Sequence, residues 1–359
     1  MKKIVLLILF ILMVCILTGC PDNRFLVIQP TVINLEELNT EYDDFNSMGP
    51  PTYTKGIDFV YSTNSPSAGE NFDINYTNFI IEMTAPYYSD GVIEEHGLDI
   101  FIKKEPNSFL GNKVNSDYNE YGPYILNSKG KDIDNQFFRH MSSTDYNYLQ
   151  DDLIYTVSSD KDGDFNIYYY TESDGLKSFA GNKDYYDDYY LTYHKSSNSF
   201  YFCSNRDGSY NIYSYSSDSV SNVKELLDTK VEPKLIDMLN STSNDKCPYI
   251  FEDIMVFVSD RDSVEDKFDI YFSKYDGSKW SKPKKLPTKI DKKNNDSFKY
   301  INTFENNEYR PILMKRDTTK RDWQTRVTDN MLMIFSSDRP GGNGGYDLYL
   351  AVLPLDIFE

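Results

Sequence analysis

The chain has 359 residues, with 37 Lys and Arg against 56 Asp and Glu, a formal net charge of -19. Such an acidic balance excludes nucleic acid and anionic headgroups as partners of the bulk surface, since both demand clustered Lys and Arg, and it favours a basic partner. With 40% apolar and 15% aromatic residues the chain is not disordered, and its length allows one large repeat domain or two ordinary ones.

In chain order, Lys2 and Lys3 lead into an apolar run from Ile4 to Leu17, followed by Thr18-Gly19-Cys20. This is the layout of a secretory signal. The run spans 14 residues, short of the roughly 20 that a spanning helix needs. Leu17-Thr18-Gly19-Cys20 resembles the lipobox of bacterial lipoproteins. The resemblance implies diacylglyceryl attachment to the Cys20 thiol, cleavage after residue 19, and a lipid-anchored protein of the bacterial cell envelope. It divides the chain into a signal peptide at 1–19, a short lipidated tether at 20–24 and a folded domain at 25–359. Of the other cysteines, Cys15 leaves with the signal, while Cys203 and Cys247 remain. Outside the cytoplasm two thiols can pair, but these lie in different repeats without a local pairing motif.

One segment recurs along the folded domain: a β-branched and aromatic strand, a Ser-Asp-Arg-like turn, then Asp or Asn followed by Ile or Leu and usually Tyr. The most divergent copy opens Phe59-Val-Tyr-Ser-Thr-Asn64 and reaches Asp73. Next come Ile154 to Asp160 with Asn166-Ile-Tyr168, and Tyr201-Phe-Cys-Ser-Asn205-Arg206 with Asn211-Ile-Tyr213. Val256-Phe-Val-Ser-Asp260-Arg261 with Asp269-Ile-Tyr271 follows, and Met333-Ile-Phe-Ser-Ser-Asp338-Arg339 with Asp347-Leu-Tyr349 ends the series. From turn residue to second Asp or Asn the step is 6 residues in two copies and 9 in three. Two loop lengths between the same strand pair indicate hairpins, with Gly and Asp supplying the unusual backbone angles. The turn residues Asp160, Asn205, Arg206, Asp260, Arg261, Asp338 and Arg339 are therefore read as structural.

A second motif precedes each hairpin: Asn39 before Asp43-Asp44, Asn115 before Asn119-Glu120, Asn182 before Asp187-Asp188, Asn240 before Asn244-Asp245, and Asn302 before Asn307-Glu308. The Asn-to-Asn intervals are 76, 67, 58 and 62 residues, so five supersecondary units follow one another. Together the motifs resemble the WD40-like Pro-Asp repeats of TolB-type β-propellers. The resemblance implies an all-β, five-bladed propeller of four-stranded antiparallel blades. Strands rich in β-branched and aromatic residues, punctuated by Gly, Asn, Asp and Pro, lead to the same class. The fifth unit ends soon after Tyr349 and lacks an outermost strand, so the region from Phe25 to Leu38 is expected to complete the last blade and leave no open edge. Residues 77–97 read as an insertion; a degenerate sixth blade there is the alternative.

The chain carries no Gly-x-Ser-x-Gly elbow, phosphate loop or dinucleotide fingerprint. His96, His140 and His194 show no metal-ligand spacing, and packing roles are expected for them. Asp160, Asp162 and Asp164 alternate as calcium ligands would, yet the Gly and Glu of an EF-hand loop are out of place, so a turn is the better reading and no cofactor is expected. Asp43-Asp44 and Asp187-Asp188 could suggest glycoside hydrolysis. Because such pairs recur at one repeat position, a shared turn role fits them better than catalysis. The recurring Tyr168, Tyr213, Tyr271 and Tyr349 read as packing between blades.

The leading expectation is thus a non-enzymatic, lipid-anchored propeller that binds an envelope protein. A surface glycosidase using channel carboxylates and a carbohydrate-binding module are the alternatives. Carboxylates converging at the channel mouth would favour the enzyme, and an apolar or Tyr-rich rim would favour binding.

Overall fold

The computed structural model describes residues 32–50, 52–53, 56–83, 88–89, 92–93, 98–103, 111–128, 153–262, 268–286, 309–316, 331–353 and 355–359. Five four-stranded antiparallel blades form a propeller, and the short strand Thr52–Tyr53 adds a parallel pairing with Lys315 and Arg316 at the edge of the fifth. From the innermost strand outward, blade 1 is Asp44–Met48, Gly56–Thr63, Asp73–Met83 and Leu98–Lys103. Blade 2 is Glu120–Asn127, Leu153–Ser159, Asn166–Thr171 and Gly175–Ser178; blade 3 is Asp188–His194, Ser199–Ser204, Asn211–Tyr215 and Lys234–Leu235. Blade 4 is Asp245–Phe251, Ile254–Ser259, Asp269–Lys274 and Lys284–Lys285. Blade 5 is Ile312–Arg316, Met331–Ser337 and Asp347–Leu353, completed by Val32–Asn34.

The chain start therefore closes the ring as expected, with Val32 opposite Ala351 and Asn34 opposite Tyr349. Five blades hold over six. Of the stretch 77–97, residues 77–83 continue the third strand of blade 1, and Tyr88–Ser89 pairs with Val92–Ile93; the rest of it lies outside the described residues, as do His96, His140, Asn302 and Cys20.

The recurring motifs have a physical explanation in hydrogen bonds that tie each blade to the one before it. Asn39, Asn115, Asn182 and Asn240 each accept from and donate to the main chain of one third-strand residue of the preceding blade: Leu348, Ile74, Ile167 and Ile212. Each side-chain amide thus imitates a strand partner where a ladder would otherwise end. Just before each innermost strand, the N–H of Asp43, Asn119, Asp187 and Asn244 donates to the turn residue of the same blade: Asn64, Asp160, Asn205 and Asp260. Their side-chain oxygens accept from the N–H of Tyr346, Phe72, Phe165 and Tyr210 in the preceding blade.

The Ser-Asp-Arg turn and the Tyr on the third strand that follows it also belong to one device. Phe202 lies directly opposite Tyr213, Phe257 opposite Tyr271 and Phe335 opposite Tyr349. The guanidinium groups of Arg206, Arg261 and Arg339 cover these ring pairs, 4.6 to 5.3 Å from the centroids. Arg206 then reaches Asp188 at 2.6 Å and the carbonyl of Gly181 at 3.0 Å, and Arg261 bonds Asp245 and the carbonyl of Leu239 in the same way. Tyr213, Tyr271 and Tyr349 accordingly pair with a ring of their own blade, and this cross-strand ring pair is what the arginine lies on.

Arg206 and Asp188 are both buried, with side-chain exposures of 6% and 0%. Replacing Arg206 with Met should strand a buried carboxylate and lower unfolding stability by about 3–5 kcal/mol. Urea unfolding should show that loss, and adding Asp188→Asn should recover most of it; equal losses in single and double variants would contradict the pairing.

Candidate functional site

All five innermost strands begin on one face, the leading face, where the third strands of the blades also begin. The side chains on this face follow from two sequence positions. The residue one after the start of the inner-strand motif is Phe45, Tyr121, Tyr189, Lys246 or Tyr309. The residue just before each third strand is Phe72, Phe165, Tyr210, Phe268 or Tyr346. Every one is aromatic except Lys246.

These side chains touch in sequence around the ring. Tyr346 meets Tyr309 and Phe45 at centroid distances of 4.7 and 6.5 Å, and Tyr309 stacks on Phe45 at 4.0 Å with planes 4° apart. Phe45 leads to Phe72 at 4.5 Å, Phe72 to Tyr121 at 5.1 Å, and Tyr121 to Phe165 at 5.0 Å. Phe165 meets Tyr189 at 4.7 Å, and Tyr189 meets Tyr210 at 5.7 Å. The Lys246 ammonium closes the series, 5.9 Å from the Tyr210 ring and 4.2 Å from Phe268. Phe45 is buried and the other members are partly exposed, so the channel mouth carries an aromatic collar with a single cation in it. Tyr185 extends the same face, 93% exposed in the loop that leads into blade 3.

The carboxylates that could have served hydrolysis lie within the structural network. Asp44, Glu120, Asp188 and Asp245 are at most 1% exposed. Each accepts from the main chain of the loop before it, at Thr40, Ser116, Lys183 and Ser241. Asp43 and Asp187 accept the inter-blade N–H bonds described above. Asp160, Asp162 and Asp164 are likewise engaged one by one, with Asn119, Tyr168 and Asn166. Among the described residues no group of three or more His, Cys, Asp or Glu is arranged to hold a metal ion.

On the opposite face His194 forms a second constellation. Its Nδ1 lies 2.8 Å from Ser197 Oγ and its Nε2 lies 3.1 Å from Asp253 Oδ1. Burial lowers the imidazole pKa; a neutral ring donates from Nε2 to the carboxylate and accepts from Ser197 at Nδ1. The ring is only 1% exposed and packs against Tyr275 and Trp280 at 4.7 and 5.0 Å. Here the Ser-His-Asp arrangement ties the hairpin turns of blades 3 and 4 together under an aromatic cover. Cys203 and Cys247 form no disulfide and are buried on the second strand of blade 3 and the innermost strand of blade 4.

No family model matches the chain, and no curated protein matches it. Among solved structures it is similar to an α-L-arabinofuranosidase from Podospora anserina, at 8% identity and TM-score 0.43, covering 88% of this chain and 91% of that one. An endo-arabinase from Bacteroides thetaiotaomicron is 10% identical at TM-score 0.40, covering 88% of this chain and 98% of that one. TolB from Acinetobacter baumannii is 13% identical at TM-score 0.33; 86% of this chain covers 54% of that protein's length. The structures similar to this chain thus include glycoside hydrolases and TolB alike.

Blade 2 departs from its neighbours in a way that makes pH a probe of this face. Lys161 stands where Arg206 and Arg261 stand, and its ammonium sits 4.5 Å over the Tyr168 ring. Glu120 is held instead by Ser116 N and Oγ and by Ser159 Oγ. Burial raises its pKa to about 7, against the lowering effect of those bonds. The folded state therefore binds this proton more tightly than the unfolded chain does. The stability this group contributes is fully present below its ordinary value of 4.5 and is lost as pH rises through about 7. Glu120→Gln, which fits the same hydroxyl partners, should exceed the parent in stability by up to about 3 kcal/mol at pH 8. The gap should close below pH 5, and pH-independent unfolding curves for the pair would refute it.

Proposed function

We propose that the protein is a lipid-anchored, non-enzymatic propeller of the bacterial cell envelope that binds a protein partner on its leading face. The observation that carries this reading is the partly exposed aromatic collar, continued by Tyr185. Large aromatic side chains that stay accessible in a rigid ring supply the anchors on which protein interfaces concentrate their energy. The acidic surface favours a partner with basic residues around its apolar contact.

Attachment through Cys20 gives the collar a direction. The closing strand Val32–Asn34 runs antiparallel to Asp347–Leu353, so the chain reaches the ring from the face opposite the collar. A lipid at Cys20 would place the bilayer on that side and leave the collar free.

A glycan stacked on the same rings is the second reading, favoured by the same half-exposed aromatic surface. The enzyme reading needs accessible acids at the mouth; Asp44, Glu120, Asp188 and Asp245 are buried, and the half-buried Asp43 and Asp187 accept hydrogen bonds between blades.

Labelled palmitate should be incorporated into the full chain and lost on Cys20→Ala; absence of label in the parent would remove the anchor. Crosslinking in intact envelopes should recover a protein partner, and Phe165→Ala with Tyr185→Ala should weaken its capture at least about tenfold, as expected for loss of interface anchors. Recovery of no protein, together with glycan retention or turnover by the pure domain, would replace this proposal with one of its rivals.

A further inference from the structure

One position of the innermost strands differs in every blade: two residues after the second member of each acidic or amide pair stand Asn46, Gly122, Tyr190, Cys247 and Arg310. In the first four the backbone turns into the left-handed region, with φ of 53°, 58°, 58° and 60°, and the strand pairing shifts register beside them. These bulges turn the side chains of the layer toward one another. A Cβ on Gly122 would lie 2.3 Å from the Tyr190 ring, so the tyrosine occupies the room that glycine leaves. Asn46 Nδ2 donates to the Tyr190 hydroxyl at 2.9 Å and Asn46 Oδ1 accepts from Arg310 N at 3.1 Å.

Arg310 is the odd member. Its side chain starts on blade 5, donates from Nη2 to the carbonyl of Pro123 in blade 2, and lies 5.7 Å from the ring of Tyr190 in blade 3. It therefore crosses the channel. It is 0% exposed, and among the described residues its Nε and Nη1 have no hydrogen-bond partner. The ionisable groups facing it are Tyr190, Tyr249, Cys247 and Tyr124, phenols and a thiol, whose ordinary pKa values lie above about 8. Arg206 and Arg261, by contrast, each meet a buried carboxylate. A guanidinium buried without a counter-charge is among the costliest groups a protein can hold.

We infer that Arg310 forms a binding site for a small monovalent anion, of about chloride size, on the propeller axis beneath the collar. Nη1 presents an unpartnered N–H at the end of the guanidinium, away from the side edge that Nε–H shares with Nη2. The Tyr190 hydroxyl accepts from Asn46 and keeps its own hydrogen to offer as a second donor. The tight layer around Gly122 and Tyr190 selects for size. Because blades 1, 2, 3 and 5 all contribute, the anion stabilises the closed ring as well as neutralising the cation.

The test uses the full chain and chloride itself. At constant ionic strength, exchanging gluconate for chloride up to about 100 mM should raise the thermal midpoint by roughly 2–4 °C, as ligand linkage predicts for a domain of this size. Arg310→Met should abolish the rise. In crystals of the unaltered protein grown with bromide, an anomalous peak should appear beside Nη1 of Arg310. An identical midpoint in the two salts, an equal rise in the Met variant, or bromide crystals with no peak at Arg310 would each overturn the site; the crystal measurement does not depend on the variant folding.

Discussion

The structure depends on the junction where one blade's innermost strand begins. There a carboxylate or amide just ahead of the strand bonds backward to the third strand of the preceding blade and forward to the turn of its own. A propeller has no continuous ladder between blades, so main-chain groups at these edges would otherwise meet only water or apolar surface. Side-chain amides and carboxylates complete the pairing, and the covering arginine of blades 3 and 4 adds charge to the same point. This explains why an acidic chain folds stably: many of its repeated acids are acceptors inside the frame. Asp44, Glu120, Asp188 and Asp245 among them are buried.

Much of this was legible before any coordinates. The spacing of the two motifs yields the number of blades, and the truncated last repeat identifies the strand that closes the ring. The roles of individual residues were less accessible. Tyr213 and Tyr271 recur because they lie across from Phe202 and Phe257 and make a bed for an arginine, and a recurring tyrosine alone does not distinguish that from packing between blades. The collar had a sequence signal that spacing arguments passed over: an aromatic residue stands before the third-strand Asp or Asn in all five copies. The axial layer had none. Asn46, Gly122, Tyr190, Cys247 and Arg310 share a position and nothing else, and only the bulged backbone brings them together.

Repetition and departure from it divide the labour. Positions that recur serve the frame, because each blade must solve the same edge problem. A position that differs in every blade answers to something placed on the symmetry axis or on one sector of the ring. Lys246 in the collar and Arg310 below it are departures of this kind, both basic in a strongly acidic protein. Blade 2, with Glu120 beside Lys161 in place of an arginine, is a third, and it makes that sector the one most responsive to pH.

The path of the chain links these features to the anchor. The closing strand was expected from about Phe25; its described part begins at Val32, and residues 21–31 between it and Cys20 lie outside the described residues. Fully extended, 11 residues reach at most about 40 Å. A lipid at Cys20 would therefore fix which face turns to the membrane more firmly than it fixes the distance. Since the strand ascends from the side opposite the collar, a ring so anchored would carry its aromatic mouth outward, and a partner could reach the collar without displacing the lipid.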